Sequence, residues 1–178
     1  TVDHGIEFPR AKWFCYDPGI EVALIVRWPN GGISGGAKRD RLLSNVDLFP
    51  TVLDLAGISI PENVEGLSFS DYLVDDTAEP KRDAVFSVFQ GKDIRSVRTD
   101  RYKLIRNFEP RRLIPVPVDM THKPAGREKC PVVQLFDLVR DPLEFDNVAE
   151  DPAYADIRKD LNDRLWKWME SVGDPSLK

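Results

Sequence analysis

Asp3, His4 and Lys12 set a carboxylate, an imidazole and an ammonium ahead of the apolar run Val22-Ala23-Leu24-Ile25-Val26. Asp3 and His4 are adjacent, so both can turn toward one cation where the backbone leaves regular structure, and Gly5 permits the sharp turn this requires. The chemistry suggested is metal binding. A plainer reading stands beside it: Asp-His-Gly also makes an ordinary turn, and a lone lysine such as Lys12 is ordinarily solvated and idle.

The surrounding elements must position these groups. Thr1-Val2 reads as the end of a strand delivering Asp3 to a site, because ligands of open α/β sheets gather at the carboxyl ends of strands. The body of that strand is expected upstream of Thr1. Residues 6–19 read as a loop closed by the turn Asp17-Pro18-Gly19, and its aromatics Trp13, Phe14 and Tyr16 either stack on a sugar or pin the loop to the core. Val22–Arg27 is expected to be a strand covered on both faces, since its apolar run does not alternate. Asn30–Gly36 is glycine-rich but lacks the Lys-Ser/Thr ending of a phosphate-binding loop, so it reads as a flexible turn. A helix is predicted from Leu48, capped by Asp47, with Pro50 in its first turn, Phe49, Val52, Leu53 and Ala56 on a buried face, and Gly57 as its stop.

Polar, charged residues between Asp75 and Asp83 mark a linker, and the pattern then changes. Val85–Phe89, Ile94–Arg98, Tyr102–Arg106 and Val133–Leu138 are short β-rich runs, and the first three, separated by turn residues, have the pattern of an antiparallel meander. A long insert, Asn107–Cys130, precedes the fourth run and carries Arg111, Arg112, His122 and Lys123, which either grip an anionic substrate or lie in solvent. The last element is a helix capped by Asp151, with Pro152 at its first position. Its stripe of Tyr154, Ile157, Leu161, Leu165, Trp168 and Val172 is expected to pack across the sheet, giving a small α+β subdomain, and Gly173 ends it.

A chain of 178 residues with 42% hydrophobic content can bury an ordinary core. Its net charge of −5 argues against a nucleic-acid partner, which requires a basic face. No apolar run approaches the roughly 20 residues of a membrane span, and no signal-peptide layout opens the chain. Cys15 and Cys130 are too few for a disulfide framework and read as two small unpaired hydrophobes.

Taken together, several stretches resemble the C-terminal part of a sulfatase of the alkaline phosphatase superfamily, with iduronate-sulfatase-like and sulfamidase-like members. These are Thr1-Val2-Asp3-His4-Gly5, Lys12 with Tyr16-Asp17-Pro18-Gly19-Ile20-Glu21-Val22, Leu24-Ile25-Val26-Arg27-Trp28-Pro29, Ser44-Asn45-Val46-Asp47-Leu48-Phe49-Pro50-Thr51 and Leu53-Asp54-Leu55-Ala56-Gly57-Ile58. Val97-Arg98-Thr99-Asp100-Arg101-Tyr102-Lys103, Leu135-Phe136-Asp137-Leu138, Asp141-Pro142 and Glu144-Phe145-Asp146-Asn147 complete the set. The resemblance implies an α/β fold: residues 1–80 form the C-terminal portion of the α/β catalytic domain, and residues 81–178 form a four-stranded antiparallel sheet with a packed helix.

For the site, the resemblance implies that Asp3 and His4 bind Ca2+ or another divalent cation and that Lys12 contacts the sulfate as a fixed positive charge. Asparagine is the commoner residue at the position of His4. The formylglycine nucleophile, made from a Cys/Ser-x-Pro-x-Arg motif, is expected on a missing N-terminal part, because neither Cys15 nor Cys130 begins such a motif. The implied activity of the complete enzyme is hydrolysis of a sulfate ester or N-sulfate of a sulfated carbohydrate or aryl substrate, with this chain inactive alone. A periplasmic, secreted or lysosomal location is implied in the same way. Two other readings stay open: a phosphodiesterase or phosphonate hydrolase of the same superfamily, and a non-catalytic binding or structural module.

Overall fold

The computed structural model describes residues 1–6, 11, 14–75, 77–89, 93–108, 113–115, 127–129 and 131–177. They form two compact units, one of residues 1–23 with 86–178 and the other of residues 24–85.

The first unit is built on a four-stranded sheet in the order β1 (Val85–Phe89), β2 (Ile94–Arg98), β3 (Tyr102–Asn107), β6 (Val133–Asp137). β3 runs antiparallel to both β2 and β6, and its register sets Val97 opposite Leu104 and Leu104 opposite Leu135. Because side chains alternate across a strand, this register sorts residues onto two faces. Ile94, Ser96, Arg98, Lys103, Ile105, Gln134 and Phe136 share one face; Arg95, Val97, Leu104, Arg106 and Leu135 share the other. Both faces are buried. The four strands read from sequence are present, and the long insert contributes a separate two-stranded antiparallel ribbon, β4 (Leu113–Pro115) with β5 (Arg127–Lys129).

The second face is covered by α4 (Ala155–Ser171). A short 3-10 turn, Pro152–Tyr154, leads into it, and the Asp151 side chain accepts from the Ala153 N–H at 2.9 Å, as the cap predicts. The buried stripe is Tyr154, Leu161, Leu165 and Met169, while Val172 is exposed. Met169 replaces Val172 because the helix ends at Ser171, so its last buried position falls four residues after Leu165. Gly173 adopts φ +63°, and the Asp174 N–H returns to Met169 O at 2.9 Å, closing the helix with a left-handed residue. Just beyond, Asp174 pairs with the fully buried Arg95 through Oδ2 at 2.6 Å and Oδ1 at 3.0 Å, locking the chain end to β2.

The first face is covered by residues 14–17. Phe14, Cys15 and Tyr16 form one buried cluster with Ile94, Ile105 and Phe136, so these aromatics pin the loop to the core. Asp17–Ile20 is a short helix, α1, where a plain turn was expected; Pro18 sits at its start, where its fixed φ suits a helix.

The second unit departs further from expectation. Among the described residues 22–27 form no strand, and Ile25 is 85% exposed. A strand needs a neighbour to complete its backbone hydrogen bonds, and these residues have none beside them among those described. Helix α2 (Leu48–Leu55) forms, but it buries Pro50 and Thr51, whereas Phe49 and Val52 are 57% and 62% exposed. Of the expected apolar face, Leu53 is half-buried while Phe49, Val52 and Ala56 are not buried. Asp47 stands at the N-cap position of α2, as expected, but its side chain makes no cap bond to the helix: the residue also ends a preceding 3-10 turn, and its carboxylate accepts from the N–H groups of Ser44 and Leu67 and pairs with Arg82. A second helix, α3 (Ser70–Val74), packs against α2.

Candidate metal corner and its buried support

Asp3 and His4 lie on irregular backbone, with side chains 89% and 41% exposed. His4 Nδ1 lies 2.7 Å from Gly5 O. A carbonyl only accepts, so in the neutral ring this bond sets the proton on Nδ1 and the lone pair on Nε2, the arrangement in which an imidazole can take a cation. Asp3 Oδ1 is 3.7 Å from that Nε2. One oxygen and one nitrogen donor therefore stand side by side and open to solvent, which fits part of a cation's coordination shell. Among the described residues no group of three or more His, Cys, Asp or Glu gathers to complete it.

The corner is fixed from behind. The Gly5 N–H donates to Gly19 O at 3.0 Å and the Ile6 N–H to Pro18 O at 3.1 Å. A Cβ on Gly5 would fall 2.0 Å from Pro18 O, so glycine is required here by close approach of two backbones.

Beneath α1 is a buried charge network. Lys103, fully buried on β3, places Nζ 2.7 Å from Asp17 Oδ1 and 2.7 Å from Glu144 Oε1. The Asp17 N–H donates to Glu144 Oε2 at 2.6 Å, and Arg98 Nε lies 3.2 Å from Asp17 Oδ2. Tyr16 adds a bond from its hydroxyl to Gln134 Oε1 at 2.6 Å. Burial raises the Asp17 carboxyl, but the Lys103 ammonium and the Arg98 guanidinium outweigh it and hold the group below the usual carboxylate range. For Glu144 burial dominates and pushes the carboxyl up, opposed by Lys103. Cys15, sealed in the same core, has its thiol pushed up to about 11 by burial, which makes it an inert hydrophobe.

Asp3 and His4 are thus brought together with the α1 support. Lys12, Arg111, Arg112, His122 and Lys123 lie outside the described residues, as does Cys130. Sequence reasoning quoted Asp17, Lys103 and Glu144 within motifs and gave them no task. A signal existed for Lys103: it shares the two-residue period of Ile105 in an apolar strand, so it must face inward and needs a partner.

The sequence family described as N-sulphoglucosamine sulphohydrolase, C-terminal, matches residues 6–125. The chain belongs to this sulfatase family. It is 30% identical to an ulvan-active sulfatase of Formosa agariphila over 98% of its own length and 37% of that protein. Human N-sulphoglucosamine sulphohydrolase is 27% identical over 98% of the chain and 41% of the relative. A solved structure of a protein in complex with its substrate D-glucosamine-2-N,6-O-disulfate superposes with a TM-score of 0.71 at 25% identity, covering 93% of this chain and 32% of that one. The α/β, alkaline-phosphatase-like sulfatase fold with its antiparallel sheet and packed helix is therefore established, and the chain spans well under half the length of these relatives. No helix among the described residues is long and apolar enough to cross a membrane.

Proposed function

We propose that this chain is the C-terminal portion of a sulfatase that removes sulfate from a sulfated carbohydrate. Residues 1–80 would complete its α/β catalytic domain, and residues 81–178 would form the antiparallel subdomain. The observation that carries the reading is the Asp3-His4-Gly5 corner, which sets a carboxylate oxygen beside an imidazole nitrogen next to backbone hydrogen-bonded to α1, in a chain of this family.

In this reading Asp3 and His4 Nε2 hold Ca2+ or another divalent cation, the Asp3 carboxylate supplying the oxygen ligand that Ca2+ prefers and His4 a nitrogen. The cation, when bound, supplies positive charge for the sulfate oxygens. The chain's own residues do the rest of its share. Gly5 and α1 keep the two donors in place, the His4 Nδ1 bond to Gly5 O fixes the ring's orientation, and Lys12 supplies a second positive charge to the oxyanion. The formylglycine nucleophile belongs to the remainder of the protein, and the uncovered apolar groups Ile25, Phe49 and Val52 are the surface that remainder would cover.

The test is a sulfate-release assay on the complete protein with sulfated glucosamines, alongside Asp3→Asn and Lys12→Ala. Each variant is expected to lose about 10²-fold or more in kcat/KM, the scale of removing one oxyanion-stabilising group. The same assay on residues 1–178 alone is expected to show no turnover. Full activity in either variant would refute the assigned roles.

A further inference from the structure

Two fully buried charged residues of the first unit, Lys103 and Glu144, meet the half-buried Asp17 at the support of the corner and take no part in the chemistry above. Glu144 is fully buried and is one of the non-glycine residues with positive φ, at +59°. A left-handed backbone at a glutamate persists only where its surroundings over-determine it. Here they do: one carboxylate oxygen takes the Lys103 ammonium at 2.7 Å and the other takes the Asp17 N–H at 2.6 Å. Asp17 begins α1, whose Pro18 and Gly19 carbonyls hold the Ile6 and Gly5 amides. The connection from the central strand β3 to the corner is therefore continuous: Lys103, Glu144, Asp17, α1, Gly5.

A buried ion pair is weak evidence for stability, since apolar packing of equal volume usually does as well; its better attested use is to fix one geometry. The geometry points to Glu144, acting with Lys103 and Asp17, as the positioning residue for the Asp3–His4 donor pair: it clamps the start of α1 so that the corner presents both donors together. Its relevance to metal binding rests on the sulfatase reading above; the clamp itself does not. Glu144 touches neither donor, so it is a positioning residue and not a catalytic one.

Amide hydrogen exchange on the 178-residue chain tests the clamp directly. Glu144→Ala is expected to speed exchange at Gly5 and Ile6 by about tenfold or more while leaving β2 and β3 amides unchanged, since local opening and global unfolding are separable by site. Glu144→Gln keeps an acceptor for the Asp17 N–H and is expected to fall between the wild type and Glu144→Ala, which also guards against an Ala variant that fails to fold. An equal acceleration throughout the sheet in both variants, or unchanged exchange at Gly5 and Ile6, would overturn the proposal. Terbium luminescence on the complete protein gives the metal readout: Glu144→Gln is expected to weaken Tb3+ binding several-fold, and unchanged affinity would overturn the role toward the donors. If instead Asp3→Asn leaves Tb3+ binding intact, the metal reading of the corner fails while the exchange result still decides the clamp.

Discussion

Replacing Lys103 by Met would keep the volume of the side chain and remove its charge. The ammonium lies 2.7 Å from carboxylate oxygens of both Asp17 and Glu144, and Lys103 is fully buried. Its loss leaves the fully buried Glu144 carboxylate without its cation, while Asp17 keeps Arg98; breaking a buried pair in this way typically costs about 3–5 kcal/mol. The cost depends on pH with a definite sign. Burial already raises the Glu144 carboxyl, and Lys103 is the main influence opposing that rise. Without Lys103 the folded-state value climbs further above the unfolded one, so Glu144 disfavours folding increasingly as pH rises through the unfolded carboxylate range of about 4.3 toward the raised folded value. Lys103→Met should therefore be destabilised more at pH 8 than at pH 5. Urea unfolding followed by tryptophan fluorescence at both values measures it, with the slope against urea unchanged. Adding Glu144→Gln should recover a large part of the loss, because the two sites share one network. A loss under about 1 kcal/mol at pH 8, or one identical at both pH values, would refute the account of a charge-balanced core.

Other expectations follow from the same unit. Asp174→Asn should cost about 3 kcal/mol in urea unfolding, near the low end for a broken buried pair because Arg95 keeps Ser176 Oγ and Ile94 O as partners. Arg95 holds the Asp174 carboxyl below its usual range, so this contribution is present above pH 4 or so and fades as pH falls through the depressed folded value; the variant should show a flatter acid limb. Leu165→Ala, at a fully buried position of α4, should lose about 2–5 kcal/mol by the same measurement. The Cys15 thiol should resist a disulfide reagent at pH 8 in the folded chain and react once urea exposes it, with fast reaction in the absence of denaturant counting against its buried position.

Local order was legible where short-range chemistry decides it. Asp151 caps as read and Gly173 stops its helix as read, because each acts through the nearest few backbone groups. The β-rich runs were legible too, since their pairing lies within one contiguous sheet of the chain. Val22–Arg27 and the face of α2 were not. Their apolar composition demands a partner, but whether one is present is a property of what packs there, and among the described residues Leu24, Ile25, Phe49 and Val52 stay exposed. Asp47 takes the N-cap position as read but not the cap bond, because its carboxylate is held by Ser44 and by Leu67 and Arg82, the last two distant in sequence.

The candidate site divides along the same line. The sequence by itself determined that a carboxylate, an imidazole and a glycine stand together, with Gly5 read as permitting a sharp turn; that Gly5 is needed for a close backbone approach was not legible. Which groups approach it, Pro18 and Gly19, was decided only by the tertiary structure. So was the clamp beneath, because Asp17, Lys103 and Glu144 are spread over 127 residues between Asp17 and Glu144 and meet only when β3 carries Lys103 under α1. Composition can say that a buried lysine must find an anion; only the fold says which anion, and what that pairing holds in place.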